Sequence, residues 1–251
     1  MAADLDPPRR LPTPEDLDAI ASVCAFLANL LLRVEAGPTA LARLDHETLD
    51  QWPLRGLDAA TDAGLAQLRR ALDETRESGP DEGALEADFR RLFVGPGPLV
   101  APPWESVHVS DEGLTFAAQT LQVRRGDAEV GLGAPALHRE PDDHVGLELA
   151  FIGELAVAAL RAADAGDVVG QTHVVTAMAR FVEAHLAVWV PGFARLVAEH
   201  ADTALYRGVG LLLDGAVAAC VRQLGPVAAD GAEPPSGQAS ASAARPSATS
   251  S

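Results

Sequence analysis

Apolar residues recur at helical spacing along most of the chain. From Leu17 to Leu32 the run is broken by Asp18, Ser22 and Asn29, with Arg33 next. Steps of four, seven and four put these polar residues on one face, as on an amphipathic helix packed against a core. Thr13 offers an N-cap, and Glu15 and Asp16 supply acids where the helix dipole favours them. Leu65, Leu68 and Leu72 continue a helix predicted from about Leu57 to the Gly79-Pro80 break, and Leu85, Phe89, Leu92 and Phe93 repeat the pattern. Val145 to Leu160 is dense in apolar positions, with Glu148 and Glu154 as exceptions, and predicts a central buried helix. Residues 168–188 and 203–224 predict two more helices, with a short one near 192–200. No strand pattern with hairpin turn chemistry stands out. The expectation is an all-α fold, a single globular domain of roughly nine helices over residues 14–225. A flexible segment, 1–13, precedes it. A disordered Ala/Ser/Pro tail, 226–251, follows, because its composition cannot bury enough apolar area to offset the entropy of ordering it.

Two stretches break the helical pattern. Residues 94–111 carry Pro96, Pro98, Pro102 and Pro103, which forbid a helix and remove backbone donors. A long loop containing Trp104 has either a functional role or a plainer one, a stiff connection whose indole plugs the core. The second stretch, His138 to His144, introduces the buried helix. Pro141 suits a first helical position, and Asp142 and Asp143 would then meet unpaired N–H groups and the positive helix end. That account requires neither Glu140 nor two aspartates followed by His144.

Charge narrows the function classes. The chain holds 36 acids against 19 basic residues, net −17, and every basic residue is arginine. The tail accounts for only −1 of this. Nucleic acid and anionic membranes, which need clustered positive charge, are excluded as general partners. Without lysine there is no phosphate-binding Gly-x-x-x-x-Gly-Lys loop, and no Gly-x-Ser-x-Gly elbow appears. Cys24 and Cys220 lie in apolar helical contexts and read as buried thiols. Arg9-Arg10 is followed by Pro12, Pro14, Glu15 and Asp16, where an export signal would turn apolar, and no segment reaches about 18 uninterrupted apolar residues. Neither a signal nor membrane insertion is therefore expected, and the protein is expected in the cytoplasm. His138, Glu140, Asp142, Asp143 and His144 crowd seven positions, but adjacent Asp and His lack the i, i+4 spacing of a helical metal pair. No metal, cofactor or catalytic residue is expected.

The loop and the acidic stretch together resemble the TorD/DmsD family of cytoplasmic chaperones for molybdenum-containing redox enzymes. The matching residues are Leu92-Phe93-Val94-Gly95-Pro96, Ala101-Pro102-Pro103-Trp104-Glu105-Ser106-Val107, and Glu140-Pro141-Asp142-Asp143-His144 through Leu149. His185-Leu186, Trp189, Pro191, Phe193 and Leu205-Tyr206-Arg207 extend the likeness, which covers about residues 15–225. The resemblance implies a non-catalytic chaperone that binds the twin-arginine signal peptide and apo form of a molybdenum oxidoreductase. It also implies a peptide-binding region of Phe89, Leu92, Phe93, Pro103, Trp104, Pro141, Asp143 and His144, with Glu140 and Asp142 close by. The acids would pair with the two guanidinium groups, and Leu92, Phe93 and Trp104 would take the apolar part of the peptide. Assembly of a non-exported redox enzyme, or a helical interaction module without signal-peptide binding, are the alternatives. Gly97, His108, Ala117-Ala118 and Gly126 depart from the family pattern, and Gly126 implies a bent or shortened helix. Some family members exchange helices between subunits, so a monomer or a domain-swapped dimer is open.

Overall fold

The computed structural model describes residues 11–109 and 143–225. Predictions for the two ends, for Glu140, Pro141 and Asp142, and for the helix around Gly126 lie outside these residues. The described residues form ten α-helices and no strand.

Helix α1 (Pro14–Leu32) starts as its sequence predicts. Thr13 Oγ1 accepts the Asp16 N–H at 3.2 Å while Asp16 Oδ2 accepts the Thr13 N–H at 2.9 Å, a reciprocal capping box. Asp18, Ser22, Asn29 and Arg33 are exposed, and Leu17, Ile20, Leu27 and Leu31 are buried. Two short helices follow, α2 (Ala36–Arg43) and α3 (His46–Asp50), too brief to leave a clear period in the sequence. Helix α4 (Ala59–Ser78) is capped by Asp58 and stops at Gly79, whose φ of +81° is left-handed and suits glycine. Helix α5 (Glu82–Phe89) widens into a π-helical turn, Arg90–Val94, closed by the Gly95 N–H on the Arg90 carbonyl at 2.7 Å. Helix α6 (Glu105–Val109) makes the Pro-rich loop shorter than predicted, because no proline follows Pro103 to prevent a helix.

The second half is α7 (Val145–Asp164), α8 (Val168–Phe181), a π-helical turn (Val182–Leu186), α9 (Ala187–His200) and α10 (Ala204–Leu224). The predicted break between 188 and 192 is absent. Pro191 is the fifth residue of α9, one turn after the π turn has changed the hydrogen-bond register, and its missing N–H does not end the helix.

Helix α1 packs on α7, α7 on α8, and α10 on both α4 and α9. Backbones approach closely where α10 crosses α9: a Cβ on Gly210 would lie 2.7 Å from Ala194 O and from Ala198 N. Val168–His200 and Ala204–Leu224 are long and apolar enough to cross a membrane by length and composition alone, but half of the first window and 72% of the second are buried inside this fold. Most of the second helix's apolarity belongs to the core. Cys24 and Cys220 are both buried and free, as expected.

Candidate functional site

The two irregular stretches of the sequence meet in space. Trp104 and His144 form an antiparallel bridge, with the Glu105 N–H donating to Asp143 O at 3.0 Å and the Val145 N–H to Pro103 O at 2.8 Å. Further back, the Ala101 N–H donates to Leu92 O at 3.0 Å and fastens the Pro-rich loop to the first π turn. The loop is therefore held at both ends by backbone pairing.

Asp143 is fully buried. Its Oδ2 accepts the Ser106 N–H at 3.1 Å, so it braces the start of α6 and does not meet the first turn of α7. His144 is the true N-cap of α7: its Nδ1 accepts the Gly146 N–H at 3.0 Å. Its ring meets that of Trp104 edge-on at 6.0 Å. Burial pushes the His144 imidazole down to about 4, consistent with a neutral ring using Nδ1 as acceptor.

Beneath this junction lies a buried polar cluster. His185 Nδ1, in the second π turn, is 2.9 Å from Glu105 Oε2. Glu148 Oε2, on α7, accepts the Trp189 Nε1–H at 3.2 Å. His108 stacks on Trp189 at 5.0 Å, and its Nε2 lies 2.7 Å from Pro102 O. Burial, with Glu105 beside it, pushes the Glu148 carboxyl well above the usual carboxylate range, the Trp189 hydrogen bond opposing. Glu105, Glu148 and His185 also have the chemistry of metal ligands: one oxygen from each carboxylate and one imidazole nitrogen lie within 4.8 Å of one another.

The predicted site residues therefore divide. Trp104 is half-buried at the junction and is followed by the exposed Val107 and Val109 on α6; Val94, at the end of the first π turn, is exposed too. Pro103, Asp143 and His144 are buried within it. Phe89, Leu92 and Phe93 belong to the core, with Phe93 packed against Phe89 at 5.2 Å and Phe193 at 6.1 Å. In this conformation none of those three offers its side chain to solvent. Sequence reasoning overlooked the role of Glu105, Glu148, His108 and His185. The signal for Glu148 was present, as an acid interrupting an apolar run. Glu105 and His185 are 80 positions apart and carry no local signal of their pairing.

Comparison with known proteins places the chain in a family. The family model described as nitrate reductase delta subunit matches residues 54–195. The Tat proofreading chaperone DmsD of Salmonella typhi is 30% identical over 178 residues, covering 71% of this chain and 75% of that protein. The chain belongs to the TorD/DmsD chaperone family. The chaperone protein TorD of Vibrio cholerae is 27% identical over 148 residues, 59% of this chain and 66% of that protein. Membership makes this TorD/DmsD protein a chaperone for molybdoenzyme maturation and not a catalyst. Its two sequence signatures, 94–107 and 140–149, are the segments joined by the Trp104–His144 bridge as far as they are described.

Proposed function

We propose that this chaperone binds, in the cytoplasm, the twin-arginine signal peptide and apoprotein of a DMSO reductase-type molybdopterin oxidoreductase. It assists cofactor insertion and delays export until the partner has folded. The observation that carries this reading is the 30% identity with a protein named a Tat proofreading chaperone across 71% of the chain. The peptide region proposed is the surface over the junction, with Trp104, Val94, Val107 and Val109 for the apolar segment. Glu140 and Asp142, flanking Pro141, are assigned to the two guanidinium groups, since Asp143 is fully buried with one oxygen on the Ser106 N–H. Phe89, Leu92, Phe93, Pro103, Asp143 and His144 support that surface from within. The acidic body steers a cationic peptide toward it.

A second reading, assembly of a redox enzyme that is not exported, is favoured by the family model's description as a nitrate reductase delta subunit. Affinity capture of the tagged full chain from its native host, with identification of the bound protein, separates the two. A molybdopterin oxidoreductase precursor with an N-terminal arginine pair is the expected partner. A captured oxidoreductase without that pair supports the second reading, and no oxidoreductase at all contradicts both.

A further inference from the structure

We propose that Glu105, Glu148 and His185 form a buried binding site for one divalent first-row transition ion of the Zn²⁺ or Mn²⁺ type. This site is separate from the peptide surface and stands whether or not the peptide reading holds. Three elements distant in sequence supply it: α6, α7 and the π turn before α9. Glu105 is 3% exposed, Glu148 0% and His185 7%, so the ligands face one another and not water.

The spacing suits a coordination sphere. Metal–ligand bonds of about 2.1 Å place neighbouring ligand atoms roughly 3 to 4 Å apart. Glu105 Oε2 and His185 Nδ1 are 2.9 Å apart, and the three ligand atoms fall within 4.8 Å of one another. Small side-chain shifts would complete the sphere. Two carboxylates with one imidazole form a mixed oxygen–nitrogen donor set, which selects Zn²⁺ or Mn²⁺ over Ca²⁺, whose sites are all oxygen.

A second observation points to a cation. Glu148 Oε1 is buried and accepts no N–H or hydroxyl hydrogen bond, and its carboxyl neighbour is Glu105, within hydrogen-bonding reach. The fully buried Asp143 likewise has an oxygen, Oδ1, that accepts no hydrogen bond, and its charge acts on Glu148. Glu105, Glu148 and Asp143 thus crowd together in the core, with His185 paired to Glu105, so a proton held by Glu148 or a bound cation must offset their charge. A buried acid with a bare oxygen is costly, and a divalent ion satisfies both the charge and the unused lone pairs. The Trp189 hydrogen bond to Glu148 and the Ser106 N–H bond to Asp143 orient these acids as outer partners orient metal ligands.

The test uses the purified full chain, stripped with a chelator and titrated calorimetrically with ZnCl₂ and with MnCl₂. One equivalent of at least one of the two ions should bind and raise the melting temperature. Glu148→Gln keeps an acceptor for Trp189 and resembles the protonated acid, but it cannot ionise to a carboxylate ligand. It should melt within a few degrees of the metal-free wild type, yet bind the ion at least about 100-fold more weakly. His185→Gln should weaken binding in the same way. Anomalous scattering from metal-soaked crystals of the wild type locates the ion even if a variant fails to fold. A peak among the three side chains is the expected result. Failure of both ions to bind, unchanged affinity in both variants, or a peak elsewhere overturns the proposal.

Discussion

His144 shows how a single buried side chain couples the junction to pH. Its folded value near 4 lies below the roughly 6.5 of an unfolded histidine. Above pH 6.5 the ring is neutral in both states and contributes nothing to the difference. As the pH falls from 6.5 to 4 the unfolded chain takes up a proton that the fold refuses, so stability declines, by up to about 3 kcal/mol for this residue. Glu148 acts in the opposite sense: its raised value favours the fold at low pH, and that contribution fades as the pH rises through the folded value. Urea unfolding between pH 7 and 4.5 should show a smaller acid-side loss for His144→Asn, which retains an N-cap acceptor, than for wild type. Cys24 makes a second residue-scale case. Its thiol is hydrogen-bonded to Cys220 and buried, and both effects push it well above the ordinary thiol range. Neither cysteine should react with a water-soluble thiol reagent in the native state, and both should react after unfolding.

Between elements, one acid ties the first half of the chain to the last helix. Asp88, 2% exposed at the end of α5, accepts the N–H groups of Asp202 and Thr203 at 3.0 and 2.8 Å and a bond from Arg91 at 2.8 Å. Asp88→Ala would strand those donors at the start of α10 and is expected to cost about 3 kcal/mol in urea unfolding. Gly210→Ala would push a methyl into the backbone of α9 and should cost at least about 1–3 kcal/mol by the same measurement. Long helices such as α1, α4 and α10 were legible because a buried stripe must repeat every three or four residues. The π turns, the short α2 and α3, and the continuity of α9 through Pro191 were not. They depend on tertiary packing and hydrogen-bond register, which leave no period in the sequence. The same holds for the site. Its two motifs stood out because a run of prolines and an acidic stretch resist a purely helical account. That Asp143 turns inward to Ser106 while His144 does the capping follows from the bridge to Trp104, a contact between segments about 40 positions apart.

At the scale of the molecule, the net charge of −17 acquires a direction. Of this, −13 lies on the described helical residues, which contain the junction where the Pro-Pro-Trp loop meets Asp143 and His144. Such a surface suits a ligand that is cationic at one end and apolar along the rest, and the apolar contacts should dominate affinity because exposed ion pairs are individually weak. Calorimetric titration of the full chain with the twin-arginine signal peptide of a molybdopterin oxidoreductase from the native host, beside the same peptide with both arginines changed to glutamine, tests this most directly. The arginine peptide should bind with an affinity that falls as salt rises. Binding should weaken at least about 10-fold for the glutamine peptide and for a folded Trp104→Ala variant. Equal binding of the two peptides, or full binding by the folded Trp104→Ala protein, would contradict the account.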